Sequence, residues 1–310
     1  MRPSMRLLAA AVLAVVIVGA VIAYRAVSGV EDPESASCPH PPITASPERI
    51  AADHREVDVR FACEHASQAG TIYLPTTPGS HPGLVWVHGA GPASRLTWGG
   101  PLLPGLVGAG IAVLSYDKRG VGQSEGECCP GDTGHFNLLT ADVVGAISVL
   151  RARPDIDPDR VGLVGASQAG WIAPRAANQV HAAFVALASA PAVPERVANL
   201  YERLSAGDDG QLSPPEISRR LREAGREGFD PLPDLRRMTM PSLWLFGTAD
   251  VYTPVPESVA ALKALQTEGH NITIQTYPGA GHGLVDNPPT SPDAIPAMIE
   301  WVRRHAPSDS

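Results

Sequence analysis

The sequence predicts an α/β fold: an eight-stranded, mostly parallel sheet with helices on both faces and a small helical cap insertion, preceded by an N-terminal membrane segment. Three observations carry this expectation. Short runs rich in β-branched residues alternate with stretches of helical periodicity along most of the chain. Several of those runs are apolar throughout instead of alternating, which is the pattern of parallel strands covered on both faces. The chain also opens on an uninterrupted apolar stretch behind two arginines.

That opening stretch is residues 7–24, 18 residues in which only Gly19 and the terminal Tyr24 depart from aliphatic character, with Arg2 and Arg6 ahead of it. Its length just reaches the roughly 17–25 residues of a spanning helix and exceeds the roughly 7–15 of a signal-peptide core. Residues 1–27 therefore read as a signal anchor in preference to a signal peptide cut after Ala23 or Ser28. Arginines before the run hold the N-terminus in the cytoplasm, and Glu31, Asp32 and Glu34 follow the crossing. The rest of the chain is then expected outside the cytoplasm, membrane-anchored, or secreted if the segment is cut. Residues 28–55 mix Ser, Pro, Glu and Asp without periodicity and read as a linker, so the folded domain is expected over 56–306.

Within that domain the expected strands are 57–63, 71–74, 84–87, 111–116, 161–164, 183–188, 243–246 and 272–277. Between them, Phe136, Leu139, Val143, Ile147 and Leu150 recur at spacings of three and four and predict a helix that Pro154 stops. Thr253 is expected to cap a helix begun by Pro254, with Val255, Val259, Leu262 and Leu265 inward and Gly269 past its end; Ser291-Pro292 opens the last helix in the same way. Residues 194–238 break the alternation. They are rich in Arg, Glu, Asp and Gly, with only weakly apolar helical pieces, and read as an insertion.

Composition excludes several classes of function. With 24 Lys and Arg against 32 Asp and Glu, the net charge of −8 is the wrong sign for capturing a phosphate backbone, so no nucleic-acid partner is expected. There is no C-x-x-C and no H-E-x-x-H, so neither a metal nor another cofactor is expected. Four cysteines in an exported chain point to disulfides, and the adjacent Cys128 and Cys129 are each expected to seek a distant partner.

The chemistry is carried by four pieces in a fixed order. The strand Arg160-Val161-Gly162-Leu163-Val164 runs into Gly165-Ala166-Ser167-Gln168-Ala169-Gly170 ahead of a helix, which places Ser167 on a sharp turn of positive φ with its hydroxyl above the sheet edge. Ala169 stands where such elbows usually carry Gly. A hydroxyl needs an imidazole as base and the imidazole a carboxylate to fix its tautomer. Asp250 follows the seventh expected strand and His282, in Gly279-Ala280-Gly281-His282-Gly283, follows the eighth, both at the same sheet edge. The third strand ends in His88-Gly89-Ala90-Gly91-Pro92, a small-residue loop suited to aiming backbone amides at a tetrahedral oxyanion. Ala90 and Gln168 are assigned as the donors, with Gly91 the alternate to Ala90.

These motifs, with Tyr116-Asp117-Lys118-Arg119-Gly120-Val121-Gly122-Gln123-Ser124, resemble the α/β-hydrolase superfamily over about residues 56–306, in the bacterial branch of dienelactone-hydrolase-like esterases and serine peptidases. The resemblance implies an α/β-hydrolase fold, a structural role for Asp117 and Arg119, and a cap over the site formed by 194–238. It disfavours haloalkane dehalogenases and epoxide hydrolases, which use Asp where this chain has Ser167. It also implies that the turn after the first strand lies beside the loop carrying Cys128 and Cys129, hence a Cys63 disulfide to one of them and Cys38 paired with the other. The expected function is an exported serine hydrolase of small-molecule acyl substrates, carboxylic esters or thioesters, working through Ser167, His282 and Asp250. A serine peptidase and a catalytically silent binding protein are the alternatives.

Overall fold

In the computed structural model of the chain, the structure describes residues 38, 41–96, 101–131, 133–206, 212–225 and 228–306. The apolar run 7–24, and with it the expected membrane segment, lies outside the described residues; among those described, no helix is long and apolar enough to cross a membrane.

The strands β1 (Ile43–Ala45), β2 (Arg49–Ile50), β3 (Arg55–Cys63), β4 (Ala66–Leu74), β5 (His81–Val87), β6 (Ala112–Tyr116), β7 (Ile156–Ala166), β8 (Val185–Ala188), β9 (Ser242–Gly247) and β10 (Ile272–Tyr277) form one sheet. Their spatial order is β1-β3-β4-β6-β5-β7-β8-β9-β10, with β2 also on β3. β3 and β4 are an antiparallel hairpin, β4 meets β6 antiparallel, and every pairing from β6 to β10 is parallel. The strands that read as continuously apolar earn that pattern: β5, β6, β8 and β9 are buried along their whole length.

The covering helices are α1 (Leu102–Gly108), α2 (Thr133–Arg151), α3 (Ala169–Val180), α4 (Glu195–Ser205), α5 (Pro214–Glu223), α6 (Leu232–Arg237), α7 (Val255–Thr267) and α8 (Ala294–His305). Leu102, Leu106 and Val107 of α1 pack with Ile295, Met298, Trp301 and Val302 of α8 on one face. The other face is closed by the predicted stripe of α2, by Ile172, Ala173, Ala176 and Ala177 of α3, and by Leu262 and Leu265 of α7. Helices α4, α5 and α6 fall between β8 and β9, inside the segment read as an insertion. Arg175 of α3 fastens it: the guanidinium meets the fully buried Asp234 of α6 at 3.0 Å and lies 4.3 Å over the Phe229 ring.

Three expectations are corrected. The sheet has ten strands instead of eight, because β1 and β2, inside the segment 28–55 read as a linker, pair antiparallel with β3. Their outward residues are exposed, so they lack the apolar signature of the buried strands. The disulfides are Cys38–Cys63, with Cα atoms 5.6 Å apart, and Cys128–Cys129, and no bridge joins Cys63 to either member of the adjacent pair. The cause is β1 itself: its register sets Ile43 opposite Phe61, so the chain just before it runs alongside the end of β3 and delivers Cys38 to Cys63. The two expected helix openings, finally, are shifted: the cap position of α7 is Pro254 instead of Thr253, whose hydroxyl is used elsewhere, and that of α8 is Asp293, two residues past Ser291.

Candidate active site

Ser167 sits between β7 and α3 with φ of +55°, a left-handed conformation that costs a non-glycine residue free energy and is held only where the surroundings over-determine it. Its N–H donates to Ala188 O of the neighbouring strand at 3.0 Å, and the Gly170 N–H donates to its carbonyl at 3.0 Å. The tight crossing of strand and helix explains how Ala169 replaces the usual Gly. A Cβ on Gly165 would come within 2.7 Å of the Ala169 methyl and 2.6 Å of Val87 O, so the bare Gly165 leaves the room that Ala169 fills. Close approach is displaced one residue on, to Gly170, whose Cβ would strike Pro191 O at 2.4 Å.

Asp250 and His282 come from the loops after β9 and β10, whose parallel pairing puts both at the edge reached by the elbow. Gly247 permits the approach, since a Cβ there would meet Ala280 O and Gly281 O at 2.4 Å. His282 Nδ1 lies 2.8 Å from Asp250 Oδ2, and the Asp250 side chain is wholly buried. The other carboxylate oxygen accepts the N–H groups of Tyr252 and Thr253 at 2.8 and 2.9 Å. With both oxygens acting as acceptors, the proton between the pair belongs on Nδ1, leaving Nε2 as the free base. Ser167 and His282 line one cavity of about 210 Å³ without a direct hydrogen bond among the described contacts.

The same cavity is lined by Ala90, Gln168, Trp171, Pro191, Asn199, Glu202 and Tyr252. Of the oxyanion candidates it thus gathers Ala90 and Gln168, whereas Gly91, with φ of +75°, is outside the lining. Neither the Ala90 nor the Gln168 N–H has an acceptor among the described residues. Asp117 and Arg119 stand apart and are fully engaged. Asp117 accepts the N–H groups of Arg95 and Gln123 at 2.9 Å, and Arg119 forms a two-pronged pair with the buried Asp142.

Several residues around the site were not assigned to it from the sequence. Ser189, itself at φ of +50°, donates its hydroxyl to His282 O at 2.6 Å, and Thr253 Oγ1 donates to Ser189 O at 2.8 Å while standing 3.5 Å from His282 Nδ1. Together they fix the imidazole loop from the β8 side. Tyr201 of α4 donates its hydroxyl to Asp250 O, and the Tyr252 ring meets His282 edge-on at 5.2 Å. Lys118, buried beneath the loop after β5, donates its ammonium to Gly89 O at 2.9 Å, Gly91 O at 3.1 Å and Gln168 Oε1 at 2.8 Å. Burial pushes it down to about 8 from the ordinary lysine range. Beside it, burial pushes the His88 imidazole down to about 4, so the ring is neutral at pH 7 and donates to Tyr116 O. The one hint in the sequence is that Lys118 and Lys263 are the chain's only lysines.

Among the described residues, no group of three His, Cys, Asp or Glu is placed to hold a metal ion. Residues 107–308 match the prolyl oligopeptidase family. The chain is 24% identical over 217 residues to acylamino-acid-releasing enzyme 1 of Oryza sativa subsp. japonica, covering 64% of this chain and 26% of that protein. It is 34% identical over 103 residues to thiohydrolase aneE of Aspergillus aculeatus, covering 33% and 30%. The chain thus spans less than a third of the length of either relative. Among solved structures, acetyl xylan esterase 1 from Thermoanaerobacterium sp. superposes with a TM-score of 0.60 at 22% identity, over 87% of this chain and 91% of that one, which establishes the shared fold.

Proposed function

The chain belongs to the prolyl oligopeptidase family and is a serine hydrolase of the α/β-hydrolase superfamily, and from that premise we propose that it cleaves small carboxylic esters or thioesters through Ser167, His282 and Asp250. The observation that carries the reading is the 2.8 Å bond from His282 to a carboxylate whose other oxygen is saturated by backbone, at one cavity with a serine of φ +55°. In this reading Ser167 Oγ attacks the acyl carbonyl while His282 Nε2 takes its proton, and the Asp250 carboxylate stabilises the imidazolium that forms. The Ala90 and Gln168 N–H groups, unpaired at rest, receive the oxyanion. The imidazolium returns its proton to the departing alcohol or thiol, and water repeats the sequence on the acyl-enzyme.

The cavity of about 210 Å³ supports a short acyl group. One observation favours the second reading, a peptidase acting on a substrate with a free amine. Glu202 of α4 lines the cavity as a carboxylate with no ion-pair partner among the described residues. Extracytoplasmic placement behind the run 7–24 is part of the proposal, and the Cys38–Cys63 disulfide supports it, since such bonds persist in oxidising compartments. The test compares p-nitrophenyl esters, acyl thioesters and aminoacyl p-nitroanilides on the full chain in detergent, with Ser167→Ala and His282→Ala as controls. Both variants are expected to lose ester turnover and fluorophosphonate labelling; label retained by Ser167→Ala defeats the assignment, and faster anilide than ester turnover installs the peptidase reading.

A further inference from the structure

We propose that Lys118 is a positioning residue for the oxyanion site, turning the Ala90 N–H into the cavity and binding that loop to Gln168, so that both donors are aimed before substrate arrives. The inference rests on the hydrolase reading above and deepens it. Its ground is the peptide unit shared by Gly89 and Ala90. A peptide ahead of a non-proline residue such as Ala90 is trans, so its C=O and N–H point in opposite directions. The Lys118 ammonium holds Gly89 O at 2.9 Å from beneath, which forces the Ala90 N–H to the far side, where Ala90 lines the cavity. The second bond, to Gly91 O, stops the loop from rotating about that peptide, and the third, to Gln168 Oε1, ties it to the first residue after Ser167. A charged donor on the carbonyl also polarises the amide and strengthens its N–H as a donor.

Three acceptors converge on one tetrahedral ammonium, so the cation is matched in number and geometry, and the site needs it for something other than a carboxylate partner. The charged groups around it are accounted for. Asp117 on its own turn is held by the Arg95 and Gln123 N–H groups, with the Arg95 guanidinium 3.6 Å away, and Arg119 is paired with Asp142. From the β5 loop His88 is neutral, and from α3 Gln168 is uncharged. The burial that pushes Lys118 down to about 8 means its full set of three donors is present below that pH and is lost above it.

The experiment measures kcat and KM for p-nitrophenyl acetate across pH in the full chain, in Ser167→Ala, and in Lys118→Met and Lys118→Arg, with thermal melting of each. Lys118→Met is expected to lower kcat by about 10- to 100-fold, short of the full loss of an oxyanion donor, with KM changed by less than about threefold. The parent's kcat is expected to fall above pH of about 8, and Lys118→Arg, which stays charged, is expected to recover part of kcat and to abolish that fall. A folded Lys118→Met protein with parental kcat overturns the inference. If that variant does not fold, Lys118→Arg decides alone, and an alkaline fall unchanged from the parent overturns it. Failure of the hydrolase reading looks different, because then the parent itself shows no turnover that Ser167→Ala removes, and both proposals fall together.

Discussion

Replacing Asp250 by Asn tests the proposed triad at the point where the structure constrains the outcome most. The side chain keeps its shape but exchanges one acceptor oxygen for a donating NH₂. Asp250 Oδ1 is committed to two backbone donors, Tyr252 N–H and Thr253 N–H, in a side chain with no solvent exposure. An NH₂ placed there would oppose donors with a donor where no water can intervene, so the amide oxygen must take that position. The NH₂ is then forced toward His282 Nδ1, where the carboxylate now stands at 2.8 Å. The imidazole can satisfy it only by presenting Nδ1 as an acceptor, which moves its own proton to Nε2 and removes the lone pair that must accept the serine proton. A wrong-tautomer triad loses about four powers of ten in kcat, and at about 1.36 kcal/mol per tenfold that is about 5 kcal/mol of transition-state stabilisation. The assay is initial-rate hydrolysis of p-nitrophenyl acetate near neutral pH, with thermal melting to establish that the variant folds. An Asp250→Asn enzyme that melts normally and keeps more than about a tenth of the parental kcat would refute the assignment of Asp250.

Arg119→Met strands the fully buried Asp142 without its two-pronged partner, and is expected to cost about 3–5 kcal/mol in urea unfolding; a midpoint equal to the parent's would show the pair to be dispensable. Removing the Cys38–Cys63 bridge with Cys63→Ser opens a loop of 25 residues' separation, worth about 3.5 kcal/mol in the chain-entropy model, and a melting temperature insensitive to that substitution would count against the bridge. His88 folds with its imidazole pushed down to about 4, so between the unfolded value near 6.5 and that pH the unfolded chain binds more protons than the folded one. Stability contributed by the neutral ring is therefore intact above pH of about 6.5 and falls by on the order of 3 kcal/mol as pH drops toward about 4. Denaturation midpoints for the parent and His88→Asn over that range measure it, and parallel curves would exclude His88 as the cause.

The sequence alone determined what local pattern and chain order can encode. Unbroken apolar runs marked the parallel strands because burial on both faces leaves no polar position, and all eight expected strands are present. The order Ser167, Asp250, His282, each after a strand with small residues around it, was enough to bring the three to one edge, because parallel strands deliver their following loops to the same side. The placement of Ala90 and Gln168 at the same cavity was readable for the same reason. The tertiary structure decided what depends on register and on contacts between distant segments. β1 and β2 escaped notice because exposed edge strands carry no apolar signature, and with them went the partner of Cys63, which the β1 register chose. Thr253 reads as a helix cap in isolation, yet Ser189 O, 64 residues earlier, claims its hydroxyl. Lys118 looks in the sequence like one more charge in a polar turn. Only the fold places three acceptors from two separate loops around its ammonium, because Gly89 and Gly91 follow one strand and Gln168 another, and they meet only where those strands end side by side.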